Sequence, residues 1–219
     1  MYCYIDVPST QTRYLIIGSP FGSISNVEMT WIESQFSTNP SLHFILFAHY
    51  LKINGVFTAA AINLMNRCSK YSNVHAIVYG HQHMDDLDYT SSGIPVIATD
   101  TDAASRLGTN NPNSATPGTI TEQCIDVMTV SYQDNSVRCA RIGRGKNRYI
   151  NGGIINLEIG GTTMLTSRFP SVTQWKVSDD SVATVENGRV VSLASGKTVV
   201  LALNDSGQEF WCIVVGGGI

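Results

Sequence analysis

Charge is scarce in this 219-residue chain: Asp, Glu, Lys and Arg make up 14% of it, against roughly 25% in an average soluble protein. The formal net charge is −3, which excludes nucleic-acid binding through bulk positive potential. Long apolar runs are missing too. None approaches the roughly 20 residues that span a bilayer, so no membrane span is expected. The opening MYCYIDVPST lacks a basic stretch followed by an apolar one and does not read as a secretion signal. C-x-x-C is absent. The five cysteines, Cys3, Cys68, Cys124, Cys139 and Cys212, stand far apart, which argues against a thiolate zinc site. Cys124 and Cys139 flank an expected hairpin and can pair; isolated buried thiols are the other reading.

What is present is an apolar content of 43%, spread along the chain and sufficient for a core. Surface polarity comes from Ser, Thr and Asn, together about a quarter of the residues. That composition is common in secreted, cell-surface and virion proteins, so an extracellular, cell-surface or virion location is expected.

The first part alternates strand and helix signals. Tyr14–Ile17, Phe44–Ala48, Val74–Tyr79 and Ile94–Ala98 read as strands, the second and third buried on both faces. Cys3–Val7 is a further plausible strand. Met29, Ile32 and Phe36 recur at helical spacing, with Asn26 as expected N-cap. Ala60, Ala61, Leu64, Met65 and Cys68 mark an amphipathic helix that begins near Val56 and ends near Lys70. Such alternation indicates a layered α/β sandwich. A loop rich in Asn, Pro and Gly (104–119) precedes a hairpin, Cys124–Tyr132 and Val137–Ile142, turning at Gln133–Ser136. After Ile154 short β-type runs recur about every ten residues between turn residues, the pattern of a small all-β sandwich. Two domains are therefore expected, 1–150 and 154–219.

All five histidines lie between 43 and 83. His49 follows one buried strand. His81 and His83 follow another, in Tyr79-Gly-His-Gln-His83. Strand ends of layered α/β domains open into site crevices. Two positions apart in extended backbone, His81 and His83 would face one way, and neutral imidazoles so placed bind a divalent metal. His49 is the expected third nitrogen ligand, and Asp85 the acceptor that orients an imidazole. His43 and His75 enter strands and read as structural. Arg141, Arg144, Lys146 and Arg148 form a small basic cluster with glycines that can meet a phosphate, with an exposed, solvated loop as the favoured reading. Ser19 and Ser92 lack the context of a serine nucleophile. Among these residues no phosphate-binding set stands out.

FAHY (47–50) and VYGHQHMD (78–85) resemble the last two metal-binding motifs of calcineurin-like metallophosphoesterases. EMTWIESQF, TEQCIDVMTV (121–130) and RCARIGRGKNR (138–148) resemble flanking elements of that family, so the likeness covers roughly 1–150. The resemblance implies His49 and His81 as ligands of one ion and His83 as ligand of a second. The family's D-x-H, G-D-x-x-D and G-N-H-D/E motifs do not occur here, and the chain begins where the second half of the family domain should begin. The expectation is therefore no catalytic residues, one divalent transition metal ion (Zn, Mn or Fe), and two ions only if another chain or an upstream segment completes the site. An open sheet edge would invite a protein partner or a homo-oligomer. Residues 154–215 resemble a group 2 bacterial immunoglobulin-like domain, through Trp175 in W-K-V-S, D-S-V-A-T-V (180–185), N-G-R-V-V (187–191) and S-G-K-T (195–198). Trp175, Val182, Val185 and Val190 are its expected core. That likeness implies a spacer or adhesion module, with a cell-surface glycan as the implied ligand. The combined reading is a structural or adhesive protein of a phage particle or bacterial surface, derived from a phosphate ester hydrolase. The alternative is an active metallophosphoesterase with its missing ligands supplied from elsewhere.

Overall fold

The structure is a computed structural model, and it describes residues 2–18, 20–100, 118–119 and 122–216. Ser19, Thr121 and most of the loop 104–119 lie outside the described residues. The first half contains strands β1 (Tyr2–Val7), β2 (Thr12–Ile17), β3 (His43–Ala48), β4 (Lys52–Ile53), β5 (Val56–Phe57), β6 (Val74–Tyr79), β7 (Asp86–Tyr89) and β8 (Pro95–Ala98), with helices α1 (Asn26–Thr38) and α2 (Ala59–Cys68). Then follow β9 (Cys124–Val130), β10 (Val137–Gly143), β11 (Asn147–Ile150), β12 (Ile155–Leu157), β13 (Thr162–Met164), β14 (Gln174–Val177), β15 (Ala183–Glu186), β16 (Arg189–Ser192), β17 (Gly196–Leu203) and β18 (Gly207–Val215).

A six-stranded sheet runs in the order β1-β2-β3-β6-β8-β7, parallel from β2 to β8 and antiparallel at both edges. Both helices cover one face. Met29, Ile32 and Phe36 of α1 and Ala61, Leu64 and Cys68 of α2 are buried there with Leu15, Phe44, Leu46 and Ile77. The N-cap of α1 is Ser25, one residue before the expected Asn26. Its hydroxyl accepts from the Glu28 N–H while the Glu28 carboxylate accepts from the Ser25 N–H, a reciprocal cap that Asn26 could not make with a residue three positions on. α2 starts after Thr58 instead of near Val56, because Val56 and Phe57 pair as β5 with β4.

The other face of this sheet packs on a seven-stranded sheet ordered β14-β17-β18-β11-β10-β9, with β12 also paired to β18. Ile45, Ala76, Tyr89 and Ile97 meet Val137, Cys139, Ile150, Cys212 and Val214 between the two sheets. Phe47 departs from the expected burial and is 36% exposed, because it faces an apolar cleft where the sheets splay apart at β1 and β9. A three-stranded sheet, β13-β16-β15, covers the outer face of the seven-stranded sheet. Val182, Ala183 and Val190 pack there on Val200, Trp211, Ile213 and Val215. Trp175 is partly buried in this layer and stacks on Trp211 with centroids 5.8 Å apart. Val185 is also partly buried here.

The described molecule is thus mostly β, in four layers: helices, then sheets of six, seven and three strands. Strands on both sides of residues 150–154 hydrogen-bond in one sheet, since β11 pairs with β18 from Asn147↔Gly207 to Ile150↔Phe210. The glycines between them do not form a loose linker. The Gly153 N–H donates to the Gly93 carbonyl at 3.0 Å, and a Cβ on Gly152 would lie 2.2 Å from the Asp134 carbonyl oxygen. β18 alternates between two cores. Cys212 and Val214 face the six-stranded sheet, while Trp211, Ile213 and Val215 face the three-stranded one.

Candidate metal centre

β3 and β6 lie side by side and parallel, with Ala48 opposite Tyr79. Both end at the same edge of the sheet, so the residues that follow them meet. The Gly80 N–H donates to the His49 carbonyl at 3.2 Å. A Cβ on residue 80 would stand 3.1 Å from His49 Nδ1, so glycine is what lets that ring lie against the chain. The His49 and His81 rings meet edge-on with centroids 5.5 Å apart. The Tyr50 ring covers His81 at 3.6 Å. Partial burial, then the neighbouring His49 and His83, hold His81 below the ordinary histidine value. Its ring is therefore neutral near pH 7 and keeps a lone pair for a metal.

The extended backbone expected for His81 and His83 is not what the structure has. His81 has φ 70° and His83 φ 51°. The Gln82 N–H donates to the Gly80 carbonyl at 2.9 Å, closing a γ-turn of the rare positive-φ kind around His81. Side chains held in this region cost on the order of 1–3 kcal/mol each. Gln82 helps to hold the turn: its amide nitrogen donates to the Lys52 carbonyl at 2.8 Å and its amide oxygen accepts from the Gly55 N–H at 3.2 Å. The β4–β5 hairpin is thereby pinned beside the imidazoles. Gln82, Lys52 and Tyr50 were not legible as site residues. The available hint was Gln82 itself, a two-ended amide between two histidines.

The acids after His83 turn to cations. Asp86 accepts from Lys52 Nζ at 2.5 Å and from the Tyr79 hydroxyl at 2.6 Å. Burial pushes its carboxyl up, but these two bonds outweigh it and hold it below the usual carboxylate range. Asp85, expected to orient an imidazole, instead accepts from Arg141 at 2.7 Å and from the Asp100 N–H at 3.1 Å. Asp88 accepts from Lys197 at 2.7 Å.

The exposed basic loop expected at 141–148 is overturned for its arginines. The Arg141, Arg148 and Asp126 side chains are each 2% exposed. Asp126 takes bonds from Arg141 at 2.7 and 3.1 Å, from Arg148 at 2.5 Å and from Thr99 at 3.0 Å. Arg144 pairs with Asp100 at 3.1 Å, also buried. Burial works against the Asp126 carboxylate, yet the two guanidiniums hold it below the usual range. β11, which carries Arg148, went unread because Gly143 and Gly145 mask its short run; only the pairing of acids from distant segments explains why these arginines go inside.

His43 and His75 form a separate pair between the two large sheets. The His75 Nδ1–H donates to Asn135 Oδ1 at 2.5 Å, which leaves His75 Nε2 to accept from His43 Nδ1–H at 2.8 Å. Tyr132 stacks on His43 at 4.0 Å. The five cysteines are free, so Cys124 and Cys139 do not pair; in register they lie opposite Gly143 and Met128. Burial pushes the thiols of Cys124, Cys139 and Cys212 up to about 11, which keeps them protonated.

Among the described residues no group of three or more His, Cys, Asp or Glu side chains is placed to hold a metal ion. Two imidazoles meet. The carboxylates that would neutralise a pair of dications are bound to Lys52 and Arg141. This donor set does not fit a two-metal centre. No helix among the described residues is long and apolar enough to cross a membrane.

No protein-family model matches the chain, and no curated protein matches it. Among solved structures it is similar to the crystal structure of a dimetal phosphatase from Danio rerio, at 11% identity and a TM-score of 0.46, covering 67% of this chain and 59% of that one. The chain thus spans less than two thirds of that protein's length.

Proposed function

We propose that the chain is a structural or adhesive protein of a phage particle or bacterial surface, descended from a metal-dependent phosphoesterase and either non-catalytic or completed by a partner. One observation carries the catalytic half of this reading. The two acids that follow the H-Q-H turn are held by Lys52 and Arg141, so imidazoles are the donors left beside the turn. His49 and His81 already meet, and joined by His83 such imidazoles would suit one zinc-like ion. They lack the charge to hold two ions and a bridging hydroxide. The location at a particle or cell surface rests on the resemblance of 154–215 to a bacterial immunoglobulin-like domain, with a surface glycan as the ligand that likeness implies.

Partner binding is supported by the sheet edges. Among the described residues neither β1 nor β9 has a strand on its outer side, and Ile5, Ile125 and Val127 are exposed along them. Long apolar edges of this kind pair with other chains. A second reading, an active phosphoesterase when completed by another chain, is favoured by the strained turn at His81 and His83, because such strain collects at working sites.

Metal analysis tests the proposal. After loading with zinc or manganese and desalting, the chain should hold at most one equivalent, lost in His49→Ala and His81→Ala. It should show no manganese-dependent turnover of an aryl phosphate diester, and light scattering should find it larger than a monomer. Two equivalents with robust turnover by the isolated chain would overturn the proposal.

A further inference from the structure

The inner face of the seven-stranded sheet is wider than the sheet that covers it. β7 is the last strand of the six-stranded sheet and meets β17, where Lys197 reaches Asp88 and the Tyr89 carbonyl, while β14 lies beyond β17 in the seven-stranded sheet. Directly opposed residues share a face, and the register names what is left uncovered. Lys176 stands opposite Leu201, and Leu201 opposite Phe210. In the neighbouring row Leu203 stands opposite Gln208, and Gln208 beside Arg148. Val199 lies on the same side. With Leu87 of β7 as one wall, these residues line an open groove of about 700 Å³, within the range of small-molecule sites.

The floor is apolar: Leu87, Val199, Leu201 and Phe210. The rim is not electrically balanced. Asp85 and Asp86 reach it, but their charges are met by Arg141 and Lys52. Arg148 is met by Asp126. Lys146 donates to the backbone carbonyl of Asn204 at 2.7 Å, which leaves its charge uncompensated. The Lys176 ammonium and the Gln208 amide have no partner among the described residues. Two free positive charges and an amide therefore overhang an apolar slot, and a carboxylate, sulfonate or phosphate on a hydrophobic body complements both parts.

We propose that this groove binds a small organic anion, an aliphatic or aromatic body with one anionic end, at a place distinct from the imidazole cluster. Calorimetric titration of the full chain with dodecanoate and with 1-naphthyl phosphate tests it, with dodecyltrimethylammonium as the cationic control. At least one of the two anions should bind saturably, one per chain. The linear and aryl arms show which body the floor takes. Lys176→Glu should weaken binding at least tenfold, and Lys146→Glu with Lys176→Glu should abolish it; circular dichroism confirms that each variant is folded. Lys176 is exposed, so the single variant stays informative if the double variant fails to fold. His81→Ala should leave the affinity unchanged. Absence of saturable binding by either anion, equal binding of the cationic control, an unchanged affinity in folded Lys176→Glu, or loss of binding in His81→Ala would each overturn the proposal.

Discussion

At the scale of single residues, the His75 imidazole sits where a proton is unwelcome. Burial, and then the nearby His43, lower its pKa, and the bond to Asn135 only partly offsets this. The sign follows. An unfolded chain takes up the proton near pH 6.5, while the folded chain takes it up only at lower pH. Below about pH 6.5 the unfolded state therefore holds more protons, and stability falls as pH falls through that window. Urea midpoints measured from pH 7.5 to pH 5 should drop more steeply for the native chain than for His75→Gln, which keeps hydrogen-bonding groups but does not titrate. Parallel curves would remove His75 as the cause. His75 could be read as structural from its position at a strand start; its partners could not, because Asn135 lies 60 residues away in the hairpin. His81 and His83 show the opposite limit. Their histidine character is plain in the sequence, but side-chain alternation presumes extended backbone, and a positive φ at both residues leaves no periodic trace.

At the scale of elements, the Asp126 carboxylate ties β9 to β10 and β11. Arg141 also reaches Asp85, at the end of the H-Q-H segment. Removing one member strands the others. Asp126→Ala should cost about 3–5 kcal/mol, the usual penalty for breaking a buried ion pair from one side. Lys176→Ala, on the exposed rim, should stay within about 0.5 kcal/mol. Chemical denaturation of the two variants gives the comparison, and a loss under 1 kcal/mol for Asp126→Ala would mean that water or a rearranged partner relieves the arginines. Elements with a strong period were readable. Val74–Tyr79 and Ala183–Glu186 fall where expected, and the buried faces of α1 and α2 are the apolar positions at helical spacing. β7 and β11 were not. DLDY and NRYI carry polar residues whose burial depends on Lys197, Asp126 and Arg168, all remote in sequence.

At the scale of the whole molecule, the sequence texture changes at residue 154 and reads as a border, yet the seven-stranded sheet runs across it. The signal that could have shown this is the run Phe-Trp-Cys-Ile-Val-Val215, continuous apolar sequence as in a strand covered on both sides. Two cores that share a strand should not unfold separately. Differential scanning calorimetry should therefore give one transition whose calorimetric and van't Hoff enthalpies agree. Two resolved transitions would mean that the halves are independent after all.

The place of β18 also bears on how the protein is made. Its last residue, Val215, is joined to β17 and β12, and its side chains fill two layers. On the ribosome, everything before residue 207 emerges first and finds both interiors missing the same wall. Neither interior can close before β18 has emerged, so the nascent polypeptide must keep its unfinished sheets from sticking to neighbours until that strand is available.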